Sequence, residues 1–151
     1  MKPTSQQLAR ILPHIRYEIE QCFYVPKHDS NDPHIRESVF LAMLIHARLL
    51  VEFFETKETE RDDVLCIHFG FPVSKIPIKW KDKLRLNKDI AHLTYSRLRH
   101  TLETKSWPIE SILLSLRPTV VKFVQHIIAH PPIGIKSMEF QAWQKLNLAF
   151  T

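Results

Sequence analysis

The residues best suited to chemistry lie on one stretch, Trp80-Lys-Asp-Lys-Leu-Arg-Leu-Asn-Lys-Asp-Ile-Ala-His-Leu-Thr-Tyr-Ser-Arg-Leu-Arg-His100. At about 100° per residue its apolar side chains fall into two stripes, Leu84, Ala91, Leu98 and Leu102 in one and Leu86, Ile90 and Leu93 in the other. The pattern predicts a helix over residues 80–103. Between the stripes, on the face turned from the core, run Lys81, Arg85, Lys88, His92, Ser96 and Arg99. Arg85 and His92 are then about 20° from superposition and roughly 10–11 Å apart along the axis, so both long side chains can reach one phosphate. An imidazole with a pKa of about 6.5 gives or takes a proton near neutral pH, and a guanidinium grips phosphate oxygens as a bidentate fork. The plainer alternative is two solvated residues on a polar face.

Other chemistry-bearing residues are more simply explained by packing. His126 and His130 have the i, i+4 spacing of a metal pair, yet no glutamate follows the first histidine as in zinc proteases. They are expected to flank a buried face at a helix C-terminus, where imidazolium is favoured. Tyr95 falls beside the stripe of Ala91 and Leu98 and reads as core. Trp80 and Trp107 bracket the basic helix as hydrophobic staples, with base stacking as the alternative use. Cys22 and Cys66 lie in apolar surroundings and read as small buried hydrophobes rather than a disulfide or a nucleophile. No metal and no cofactor are expected.

The elements that must position these residues are all helical in pattern. A first helix over residues 4–23 carries Leu8, Ile11, Leu12, Ile15 and Ile19, with Pro13 as a kink or start. Residues 24–31 form a polar loop. A second helix opens with Asp32 as N-cap and Pro33 at the first helical position and runs to Phe54. Its apolar residues on nearly all sides predict the central core helix. An acidic loop follows, then a short helix over 62–70 capped by Asp62 and ended by Gly70, with a short strand as the alternative, then a connection over 71–78. Past the basic helix, another opens near Ser106, Trp107 and Pro108 and reaches His130, bent at Pro118. A last short helix starts at Ser137 as N-cap and carries Phe140, Trp143 and Leu146.

Composition agrees. The 151 residues suit a single domain spanning 1–151, and 44% hydrophobic content can fill one core. Only 2 glycines are present, too few for hairpins and phosphate-cradling loops. The fold class expected is all-α, a four- to five-helix bundle. A signal peptide is not expected from the polar start, and the longest apolar run, residues 39–45, is too short for a membrane span. The chain therefore reads as cytoplasmic, with no membrane partner. The net charge of +5 is lopsided. Residues 1–71 hold 8 Lys and Arg against 11 Asp and Glu, and residues 72–151 hold 13 against 5. A one-sided basic surface is what phosphate-rich partners select.

The run Arg85-Leu-Asn-Lys-Asp-Ile-Ala-His92, an arginine and a histidine on one helix of an all-α bundle, resembles the signature of the HEPN (higher eukaryote and prokaryote nucleotide-binding) superfamily. Its Asn-Lys-Asp-Ile-Ala-His-Leu-Thr portion is similar to the abortive-infection-related branch. The resemblance implies an HEPN-like bundle that binds RNA or cleaves it without metal, in a defence or toxin–antitoxin setting. Arg85 and His92 would be catalytic with Asn87 assisting, and Lys81, Lys88, Ser96 and Arg99 would hold RNA. His92 would exchange the proton of the ribose 2′-OH or the leaving 5′-oxygen while Arg85 steadies the phosphate. It also implies a homodimer pairing two motifs in one cleft, and a protein partner such as an antitoxin. The competing expectation is a non-catalytic helical scaffold whose basic face docks an acidic protein. A metal-binding bundle would need an inward ladder of glutamates, which the helices lack.

Overall fold

A computed structural model describes residues 3–24, 31–58, 62–90 and 106–151. These residues hold five α-helices, one 3₁₀ turn and no strand, so the chain is an all-α bundle.

Helix α1 (Ser5–Phe23) begins with a capping box. The Gln7 backbone N–H donates to Thr4 Oγ1 at 3.2 Å, and the Thr4 N–H donates to Gln7 Oε1 at 2.8 Å. Two N–H groups that a helix start leaves orphaned are thereby satisfied. Pro13 is carried inside the helix. Helix α2 (Pro33–Glu55) starts as expected, with the His34 N–H donating to Asp32 Oδ1 at 2.8 Å. The short helix expected over 62–70 is a 3₁₀ turn, Cys66–Phe69, closed by Gly70 at φ 73°. That left-handed backbone is cheap only for glycine. Helix α3 (Trp80–Lys88) is followed by a turn at Asp89 and Ile90. Helix α4 (Ile109–Ala129) contains Pro118, and α5 (Ser137–Phe150) closes the chain, with Lys136 rather than Ser137 in the cap position.

α1 packs along α2, α2 on α4 and α4 on α5, with α1 touching both α4 and α5. The centre is aromatic. Phe123 of α4 meets the rings of Phe53, Phe54, Phe69 and Phe71 edge-on at 5.1 to 5.8 Å, and Trp143 lies 6.0 Å away. Edge-to-face pairs set the positive ring edge against a negative face. Arg16 clamps α1 to α5, with Nε and Nη2 on the two Glu139 oxygens at 2.9 and 3.2 Å and Nη1 on Glu20 at 2.6 Å. These two carboxylates hold the guanidinium still more firmly protonated, against the opposing effect of burial. Helix α4 is long and apolar enough to cross a membrane by length and composition, but it buries Ile112, Leu116, Val120, Phe123, Val124 and Ile127 in the bundle.

Two expectations are corrected. Helix α2 is not buried all round. Its buried residues begin at Leu44, and its N-terminal half lies open, with Ile35, Phe40, Leu41, Ile45 and Leu49 each 41–49% exposed. The helix expected over 80–103 ends at Lys88, where the Asp89 N–H returns to Arg85 O at 2.7 Å, and the rest of the expected span, residues 91–103, lies outside the described residues.

Candidate RNA-contact face on helix α3

Helix α3 is positioned by the end of α2. The Ser74 N–H donates to Phe54 O at 2.9 Å and the Ile76 N–H to Glu55 Oε1 at 2.6 Å, which draws residues 71–79 across the bundle. The other Glu55 oxygen takes the ammonium of Lys83. Ile76 and Leu86 are buried at 1% exposure each. With Leu86 anchored inward, the wheel sets the opposite face outward: Asn87, Trp80, Leu84, Lys88 and Lys81 in angular order. All five are exposed, Trp80 at 74% and Leu84 at 38%. Lys75 and Lys79, just before the helix, are exposed as well.

Lys81, Lys88 and Asn87 thus lie outward. Arg85 was expected outward too, and there the expectation is corrected. Its side chain is only 15% exposed, and its guanidinium carbon stands 4.1 Å from the centre of the Trp107 ring. Its Nη1 donates to Ser106 O at 3.1 Å, and its Nε is 3.9 Å from Asp89 Oδ2. A guanidinium is flat and weakly hydrated, so it stacks on an indole while its rim still donates. Arg85 therefore fastens α3 to the chain entering α4. Asn87, two residues on, points to the far side of the helix, because side chains at i and i+2 do not share a face. The structure brings Arg85 together with Trp107, Ser106 and Asp89, and not with Asn87. His92, Ser96, Arg99 and Tyr95 lie outside the described residues.

Leu84 and Trp80 also depart from expectation. Leu84, assigned to a core stripe, is open to solvent, and so is Trp80, assigned as a staple. Leu84 and Leu86 cannot share a face, and Trp80 aligns with Leu84 and Lys88, so the burial of Leu86 leaves those three outward. Trp107 behaves differently, lining an apolar cleft of about 470 Å³ with Phe40, Leu41 and Leu44 of α2.

Elsewhere, His126 Nε2 donates to Phe69 O at 2.8 Å, and the His126 and His130 rings lie 4.7 Å apart. The pair stands at the C-terminus of α4 as expected, with His126 braced on the 3₁₀ turn. Among the described residues no three His, Cys, Asp or Glu side chains gather to hold a metal. Cys22 and Cys66 are buried free thiols. Burial pushes both upward, Cys66 to about 11. One cleft was not anticipated. About 680 Å³ opens between the start of α1 and residues 57, 58 and 62–68, lined by Arg10, His14, Asp62, Asp63 and His68 among others. The His68 Nδ1 accepts the Leu65 N–H at 3.2 Å. Its residues come from distant parts of the chain and have no shared spacing, so sequence alone offers no sign of it.

Comparison of the chain with protein-family models, with curated proteins and with solved structures finds no match.

Proposed function

We propose that this chain is an RNA-binding helical bundle of the HEPN type, acting in the cytoplasm as a homodimer and gripping single-stranded RNA on the outward face of α3. One observation carries the reading: a 74% exposed tryptophan set among exposed lysines at 75, 79, 81 and 88. Burying an indole is ordinarily favourable, so one left open among cations suits a flat partner carrying negative charge. Bases stack on the ring whatever their sequence, and the ammonium groups neutralise the phosphates between them. Asn87 adds a donor and an acceptor at the edge of the same face.

Binding is preferred over cleavage because Arg85 is already committed to Trp107 and Ser106. Cleavage would require that guanidinium to leave its stack and join His92 at the phosphate. The competing reading, a scaffold that docks an acidic protein, accounts for the lysines but assigns nothing to Trp80.

Titration with single-stranded RNA tests this by indole fluorescence. Trp143 is fully buried, so RNA stacked on Trp80 quenches an exposed, red-shifted fraction of the emission. Trp80→Phe should keep most of the affinity, since a phenyl ring also stacks, yet lose the quench; Trp80→Ala should lose roughly tenfold or more in affinity. Equal affinity for wild type and Trp80→Ala would overturn the reading.

A further inference from the structure

The open half of α2 carries a pattern that the bundle itself does not use. Ile35, Ser38, Ala42, Ile45 and Leu49 recur at spacings of 3, 4, 3 and 4, the seam of a coiled coil, and all five are exposed. Most core residues of the same helix, Leu44, Ala47, Leu50, Val51 and Phe54, lie on its other side, and Phe53, buried beyond the last seam residue, is the exception. A 3–4 seam keeps one side of a helix facing a partner helix over several turns. Here the seam lies open at the edge of the bundle beside α1, whose Gln21 shares a shallow cleft with Ile35, Ser38 and Ala42. We propose that it is the contact by which two copies of this chain pair, with their α2 helices antiparallel about a twofold axis.

Side-chain sizes select the orientation. Antiparallel seams place alternate positions opposite one another. In the register that sets Ala42 against Ile45 of the second copy, Ser38 meets Leu49, and the twofold repeats both pairs. Ile45 and Leu49 then each lie over a small side chain, an arrangement that fills space without voids or clashes. Ile35 falls opposite Glu52, which is bonded to Arg48 at 3.1 Å, so the seam ends in a polar rim. A parallel pair would instead oppose Ala42 with Ala42 and Ser38 with Ser38, leaving gaps at two successive layers.

The area sets the strength. Ile35, Leu41, Ile45 and Leu49 each leave 41–47% of their surface open. Together they expose on the order of 350 Å² of apolar surface, within the range of the largest patch an ordinary monomer shows. That is under half of the ~800 Å² per partner in a standard interface, so a dimer dissociating in the micromolar range is expected. The pairing supplies a surface for the dimer invoked above but does not depend on RNA. Its test contains none, so RNA binding and pairing can fail separately.

Sedimentation velocity over a concentration series should show wild type passing from monomer to dimer within the micromolar range. Ile45→Lys places a charge on a side chain 41% exposed in the monomer. It should be monomeric throughout with an unchanged melting temperature. Disulfide trapping reads the register. Ser38→Cys/Leu49→Cys should form a covalent dimer on mild oxidation. Ser38→Cys alone should not, because the antiparallel register separates the two copies of that position by about 16 Å along the axis. A wild-type monomer throughout, an Ile45→Lys dimer, or trapping of Ser38→Cys alone would overturn the proposal. So would a marked loss of melting temperature in monomeric Ile45→Lys, since the seam would then be covered from within its own chain.

Discussion

Replacing Arg85 with alanine should destabilise the protein, whereas replacing Lys88, three residues on, should not. The hydrogen bond from Nη1 to Ser106 O is charge-assisted but partly solvated, and contributes about 1–1.5 kcal/mol. The guanidinium over Trp107 adds about 0.5–1 kcal/mol. The 3.9 Å approach to Asp89 adds a few tenths of a kcal/mol at most. Arg85→Ala should therefore cost about 2 kcal/mol. For a domain of this size that lowers the melting temperature by roughly 4–8 °C. Lys88→Ala should stay within about 1 °C of wild type, as solvated surface changes do. Arg85→Lys should recover less than half the loss, because an ammonium neither lies flat on the indole nor reproduces the fork. Thermal unfolding followed by circular dichroism reads all three. An Arg85→Ala protein that melts with wild type would refute the fastening role and return Arg85 to the solvated face.

Two further outcomes follow from the core. Phe123→Ala removes a fully buried ring that touches four other phenylalanines, and should cost about 3–5 kcal/mol, enough to lower the melting temperature by roughly 6–20 °C. Cys22 and Cys66 should resist a thiol reagent in the native protein. Burial raises both thiol pKa values, so at mildly alkaline pH each stays a neutral thiol rather than the nucleophilic thiolate. Two groups per chain should react at once after unfolding in guanidinium, and fast labelling of native protein would contradict the packing described for α1 and the 3₁₀ turn.

Much of the fold was legible because local signals agreed with tertiary ones. Asp32 and Pro33 mark the start of α2, Gly70 ends the 3₁₀ turn, and Ser106 to Pro108 precede α4, each by backbone chemistry that holds in any context. The orientation of α3 was not legible, for a physical reason. Leu84 and Leu86 are equally apolar and lie on different faces, and periodicity cannot say which one the bundle covers. Arginine compounds the ambiguity, since its stem and flat head can be packed away while it still counts as charged. The apolar residues of α2 show a related limit: hydrophobicity says that a surface calls for cover, not which chain supplies it. The stack of Arg85 on Trp107 joins positions 22 residues apart, and no local spacing announces it.

The central claim is that the outward face of α3 holds single-stranded RNA, and its most direct test is the salt dependence of affinity for wild type and three lysine variants. Each phosphate neutralised on a single strand contributes about −0.7 to the slope of log affinity against log salt. Lys81→Ala and Lys88→Ala should each flatten the slope by about that amount and weaken binding alike across sequences. Lys122→Ala, on the exposed side of α4, should leave the slope at its wild-type value. Equal slopes for all four proteins would mean that the lysines of α3 do not meet phosphates, and the account would fail.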